Sequence, residues 1–508
     1  MKLSLADGNY RSKSLTEPIA EMDPLIEFHN TAYSRRQFFR KSGTGLGMAA
    51  LASLMGKSGS AFAGGLGKMS NISHMAPKAK RVIYISLIGA PSQFETFDPK
   101  PELEKRYQED LTKWLKEQGE RLTGMTSGQK SFPVAPARFK FQKHGQCGTE
   151  VSELLPWTGK MVDDLCVVRS MHTDAINHEP ANQLIYTGSM QSGHASIGSW
   201  LSYGLGSMNE ELPSFVVLHA THSSPYANVQ AISARLWGSG YLPGKHAGVA
   251  LRSVGDPVLF LKDTPGLDRK TRRKMLDGMN ALNARSFDEV RDPEIEVRMQ
   301  QYEMAFKMQA SVPELTDLSG EQEHAYQLYG EESRKRGTFA NSALMARRLV
   351  ERGVRFVQIF HRGWDQHGNL PRDIASQCKD VDQGCYGLIQ DLKQRGMLED
   401  TLVVFGGEFG RTVYSQGKLT ETNYGRDHHP RAFSMWLAGG GIKGGQVYGE
   451  TDEMSYNIVQ NPVHIRDLHA TMLDLLGIKH ESFTFKSQGL DQRLTGVEPA
   501  KVISDIYA

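Results

Sequence analysis

Apolar residues fall along this chain in short unbroken runs separated by amphipathic stretches. Arg81–Ile88 (RVIYISLI) is rich in β-branched residues and stops at Gly89 and Pro91, which predicts a strand buried on both faces. Runs of the same kind recur at 165–169, 215–218, 354–360, 401–405 and 433–437. Helical periodicity covers 321–352, 373–395 and 462–476. Strands alternating with helices predict a parallel α/β sheet. In such a sheet the carboxyl ends of the strands line the ligand crevice, so the polar residues just past each run are the ones to inspect. Residues 101–150 and 240–335 are charged and punctuated by Gly and Pro, and predict irregular insertions packed on a single domain over 81–508. Within the second, Met299, Met304 and Met308 read as one face of a helix.

With 39% hydrophobic and 23% charged residues in 508, the chain has the profile of a soluble protein with a real core. Its 59 Lys+Arg balance 57 Asp+Glu and form no basic arm, so nucleic acid is not an expected partner. Four cysteines are too few for a disulfide framework, and Cys378 and Cys385 share one expected helix as buried thiols. No apolar run reaches transmembrane length.

The N-terminal stretch carries a different message. Arg35-Arg36-Gln37-Phe38-Phe39 sets an arginine pair before two aromatics, followed by a mildly apolar Gly/Ala/Leu run and the small-x-small pattern Ala61-Phe62-Ala63. Residues 1–63 read as a twin-arginine export signal and 64–80 as a linker, which makes the export machinery a partner and the periplasm or exterior the destination. That segment holds eight basic and five acidic residues, so without it the slight positive excess disappears.

Three expected strand ends carry chemistry. After 354–360 comes Gly363-Trp364-Asp365-Gln366-His367, where alternation in an extended segment turns Asp365 and His367 to one side. After 401–405 comes Glu408-Phe409-Gly410-Arg411 in a glycine-rich turn, and just before 433–437 stands Gly425-Arg426-Asp427-His428-His429. Carboxylate with imidazole suits zinc, manganese or iron. An isolated Asp-x-His is as ordinary as a turn aspartate beside a surface histidine; three such clusters at one sheet edge point to a metal. The glycine-rich 438–445 lacks phosphate-loop spacing and is expected to close the site edge as a tight turn.

These segments resemble a known family. Residues 382–405, a long helix, turn and strand, are similar to those that in sulfatases and other alkaline-phosphatase-superfamily proteins lead into a metal-binding Asp-His-Gly, a slot held here by Glu408-Phe409-Gly410. Residues 466–478 resemble the C-terminal helix of that superfamily, and Asp427-His428 resembles a late metal-ligand pair of its mutase branch. With Pro91-Ser92 through Pro101, the stretch 80–490 is identified as a member of the exported family called domain of unknown function 1501.

The resemblance implies an alkaline-phosphatase-like (sulfatase-like) sandwich, its mostly parallel central sheet flanked by helices. It implies a divalent metal, zinc or manganese, as one or two ions. Asp365, His367 and His428 would form one ligand set with Asp427 beside them; Glu408 and Glu95, the latter preferred to Asp98, would serve a second. His178 falls at the sulfatase nucleophile position, with Pro180 two residues on and Asn182 at the position of an arginine. No Cys, Ser or Thr stands there, so His178 is expected to attack directly, to act as general acid or base, or to cap a helix. Arg411 would steady an anionic group. The function implied is metal-dependent hydrolysis of phosphate or sulfate esters, small or polysaccharide; the alternative is a non-catalytic exported protein of this fold that binds a polysaccharide or envelope component.

Overall fold

The computed structural model describes residues 74–122, 124–125, 128–253, 257 and 268–508. The expected signal at 1–63 and most of the linker lie outside them. Among the described residues the centre is a nine-stranded sheet. Its strands are β1 (Arg81–Ile88), β2 (Leu165–His172), β3 (Phe215–Ala220), β4 (Val249–Leu251), β5 (Phe356–Arg362), β6 (Thr401–Gly406), β9 (Phe433–Ala438), β10 (Gln446–Tyr448) and β11 (Val463–His464). Two further strands, β7 (Gly410–Ser415) and β8 (Arg426–His429), pair as a separate antiparallel ribbon.

The order across the sheet is β10-β2-β9-β6-β1-β5-β3-β4, with β11 beside β2. Every pairing is parallel except those of β9, which runs antiparallel to β6 and β2. The carboxyl ends of β1, β2, β5 and β6 therefore reach one edge, and the start of β9 reaches it from the other direction. The mixed α/β architecture with a mostly parallel sheet is the one expected from the alternation of runs.

Helices cover both faces. Alternate residues of β1 divide the core: Ile83, Ile85 and Leu87 pack under α5 (Glu323–Tyr329), α6 (Phe339–Glu351) and α7 (Leu370–Gln394) through Phe339, Leu349 and Leu388. Val82, Tyr84 and Ile88 pack under α1 (His178–Thr187), α2 (Ile197–Leu205) and α8 (Ile465–Leu475) through Leu184, Trp200 and Leu468. Full burial of each such aliphatic side chain contributes about 1.5–3 kcal/mol, enough to fix strand register from both sides.

Three expectations need correction. The single helix expected over 321–352 is broken, because Gly330 turns left-handed at φ +88° after α5 and a 3-10 turn, Glu331–Arg334, precedes α6. Within 240–335, the stretch 269–316 is not irregular: α3 (Arg269–Val290) and α4 (Pro293–Thr316) are long helices capped by Asp268 and Asp292. Helix α3 escapes a periodicity reading because it buries Leu276 alone, so no apolar stripe marks it, whereas α4 contains Met299, Met304 and Met308, where a helix face was expected. The glycine-rich 439–445 follows the carboxyl end of an antiparallel strand, opposite the start of β2, and so lies at the edge away from the clustered chemistry.

Cys147, Cys166, Cys378 and Cys385 are all free, and the last three are buried. No described helix is long and apolar enough to cross a membrane.

Candidate metal centre

Four side chains from two strand ends and one ribbon meet at the carboxyl edge. His178 is the first residue of α1, six residues past β2. Asp365 and His367 follow β5 through a turn at Gly363, whose φ of +102° favours glycine and leaves no space for a β-carbon. Trp364, between that turn and Asp365, is buried and donates its backbone N–H to Ile88 O at 3.2 Å, which pins the loop to β1. His428 sits on β8 opposite Arg411, where a shift of register after Arg426 re-aims the ribbon.

One carboxylate oxygen is the common point. Asp365 Oδ1 lies 3.2 Å from His178 Nε2, 2.8 Å from His367 Nε2 and 3.4 Å from His428 Nε2. His428 Nε2 and His367 Nε2 are 3.1 Å apart, and the donor atoms of all four residues fall within 4.8 Å of one another. Around a zinc ion with bonds of about 2.0–2.1 Å, tetrahedral donors stand roughly 3.3 Å apart. The four separations from 2.8 to 3.4 Å bracket that value.

The outer nitrogen of each ring is already spoken for. His178 Nδ1 donates to Glu408 Oε1 at 2.6 Å, His428 Nδ1 donates to Ile176 O at 2.7 Å, and His367 Nδ1 bonds Gln416 Oε1. An Nδ1 held by an oxygen turns Nε2 toward the shared point, the arrangement that orients metal-ligating histidines. Phe409 lies against the rings of His178 and His428, with centroids 4.9 and 4.6 Å away.

Electrostatics agree with a cluster built for a cation. Burial opposes ionisation of Asp365, yet hydrogen bonds from the three imidazoles and the Arg411 charge hold its carboxyl far below the usual carboxylate range. Burial likewise opposes charge on His178, but hydrogen bonds to Asp365 and Glu408 raise it to about 9. His428, buried and near Arg411, is lowered.

The structure brings together His178, Asp365, His367 and His428 and leaves the other candidates outside. Glu408 accepts from His178 and from the backbone N–H groups of Gly89 and Ala90, so it backs the His178 ring and stands outside the four. Glu95 is buried against Arg426, 2.7 Å away, and accepts from Tyr424 OH. Asp98, its alternative, binds Lys100, Thr451 and Ser455.

Asp427 accepts from the His428 backbone N–H and faces Tyr414. Asn182 is buried along α1 with an unpartnered Oδ1 and makes no hydrogen bond to the cluster. Arg411 is spent on Asp365 Oδ1 at 2.7 Å and on the carbonyls of Gly89, Ala90 and Arg426, so the expected grip on a bound anion has no geometry here. Asn228 and Gln230, which reach Asp365, and Gln416 were not singled out by sequence; a lone amide carries no spacing that marks it.

A sequence family described as protein of unknown function (DUF1501) matches residues 79–507. The chain belongs to the DUF1501 family. No curated protein matches it significantly. Solved structures similar to this DUF1501 member include the lipoteichoic acid synthase LtaP from Listeria monocytogenes (11% identity, 83% of this chain and 75% of that one, TM-score 0.32). Others are the PsFucS1 sulfatase from Pseudoalteromonas sp. (13%, 79% and 68%, 0.30) and a protein in the alkaline phosphatase superfamily from Vibrio parahaemolyticus (9%, 81% and 70%, 0.34). Likeness at that level carries no correspondence of residues, and the site of this DUF1501 chain rests on its own geometry.

Proposed function

We propose that this chain is an exported hydrolase of phosphate or sulfate esters with one divalent metal ion held by His178, His367, His428 and Asp365. The observation that carries the metal is the convergence of three Nε2 atoms on Asp365 Oδ1 while every Nδ1 is held by an oxygen. Carboxylate with three imidazoles suits zinc or manganese. Glu408 is engaged by His178 and Glu95 by Arg426, which supports one ion over two. A bound ion would polarise an ester oxygen and lower the pKa of an attacking water.

The chain's own residues do the rest. His367 keeps 32% of its side chain exposed and His178 keeps 12%, against 5% for His428 and 3% for Asp365, so a substrate approaches on the His367 side. Glu408 holds the Nδ1 side of His178 and the ion would take its Nε2, which would leave that ring to hold and orient and not to attack as a nucleophile. Twin-arginine export of residues 1–63 and a periplasmic or secreted small or polysaccharide ester substrate complete the reading.

One observation favours a second reading. Four protein ligands fill a tetrahedral shell, as in structural zinc sites, which suits a non-catalytic protein that binds a polysaccharide or envelope component. Aryl phosphate monoesters, phosphodiesters and sulfates should be assayed after chelation and after reloading with Zn2+ or Mn2+. Hydrolysis is expected from the reloaded chain and not from His428→Ala. A fully loaded chain inert toward all three classes would favour the second reading.

A further inference from the structure

The segment that follows β3 meets the centre at one residue, Asp365. Asn228 Nδ2 donates to Asp365 Oδ2 at 2.9 Å, and Gln230 Nε2 donates to the same oxygen at 2.5 Å. Asn228 Nδ2 also reaches the Asp365 carbonyl at 3.3 Å. The strap is moored along its length: Thr221 N–H donates to Gly337 O at 2.8 Å and Ser223 N–H to Asp380 Oδ2 at 2.7 Å. Ala227 presses so close to Gly363 that a β-carbon added there would stand 2.8 Å from its own.

A carboxylate can hold a cation through one oxygen or through both. Two-oxygen binding accompanies the larger oxygen-rich shells of ions such as Ca2+, whereas one oxygen per carboxylate suits a four-coordinate zinc site. Asp365 Oδ1 faces the three imidazoles, and the two acceptor positions of Oδ2 are filled by two amide N–H groups. We propose that Asn228 and Gln230 are positioning residues that confine Asp365 to one-oxygen coordination, and thereby select Zn2+ over ions that favour larger shells such as Mn2+ and Ca2+. This inference rests on the metal reading above and adds what sets the ion's identity. Without the two amides, Oδ2 is free to enter the shell and coordination number rises.

The test compares the full chain with Asn228→Leu/Gln230→Leu. Asn228 is exposed and Gln230 half-buried, so the exchange spares the core, and circular dichroism checks the fold. Zn2+ affinity of the double variant should fall 10–100-fold, the usual effect of losing a partner of a metal ligand. Mn2+ affinity should fall much less, which narrows the Zn2+/Mn2+ preference about tenfold. With Co2+ as probe, the intense visible absorption of a four-coordinate site should weaken severalfold in the variant. An unchanged Co2+ spectrum and an unchanged Zn2+/Mn2+ ratio, even with weaker binding overall, would overturn the proposal and leave the strap a merely structural role. A wild-type chain that takes up neither Zn2+ nor Co2+ would overturn the metal reading and this proposal with it.

Discussion

Glu408 holds His178 from behind: its Oε1 lies 2.6 Å from His178 Nδ1 while Nε2 of the same ring faces Asp365. This pair ties the turn after β6 to the start of α1 across 230 positions of sequence. Glu408→Gln should keep the fold and weaken Zn2+ binding 10–100-fold, because the ring loses the carboxylate that orients it. Glu408→Ala should also cost about 1–3 kcal/mol in urea unfolding, since the N–H groups of Gly89 and Ala90 lose a buried acceptor.

Arg411 separates a structural role from a substrate-binding one. Its side chain is buried and bonded to Asp365 and backbone carbonyls, so Arg411→Ala should destabilise the chain by about 3–5 kcal/mol by stranding the Asp365 charge. Chemical denaturation measures this. A variant of normal stability with only a raised KM toward an ester would show instead that the guanidinium grips substrate.

Glu95 gives the opposite pattern to the four ligands. Glu95→Ala should leave metal content unchanged and lower stability by about 3–5 kcal/mol, because Arg426 is left buried without its partner. Elemental analysis beside an unfolding curve distinguishes this from loss of a second ion.

Two histidines far from the cluster set an acid limit on stability. Burial holds His469 down to about 4, with Nε2 on Ile185 O, and holds His246 down to about 4 beside Ser202. Both are neutral when folded, whereas the unfolded chain takes up protons near the ordinary value of 6.5. Their contribution is therefore intact above pH 6.5 and lost progressively as pH falls toward 4. Urea unfolding between pH 7.5 and 4.5 should show that decline, and His469→Gln should make it shallower.

How much the sequence discloses depends on where a residue's partner lies. The strands from Arg81–Ile88 onward are legible because burial on both faces writes an unbroken apolar run. Asp365, His367 and His428 are legible as ligand types at strand ends, and His178 only through its aligned position. Glu408, Glu95 and Arg411 look the same in sequence whether they face an ion, an imidazole or each other's charges. Their actual partners stand 46 to 331 positions away. Asn228, Gln230 and Gln416 act through ordinary amides placed by loop geometry, and nothing local announces them. Helix α3 was hidden for the converse reason: exposed on most sides, it has no apolar face to read.

The purified chain, exposed to Zn2+ or Mn2+ and freed of excess, should carry one ion per molecule by native mass spectrometry, and His428→Ala should lose it. A wild-type chain that binds none, or a His428→Ala variant that keeps its ion, would contradict a centre built on Asp365 and three imidazoles.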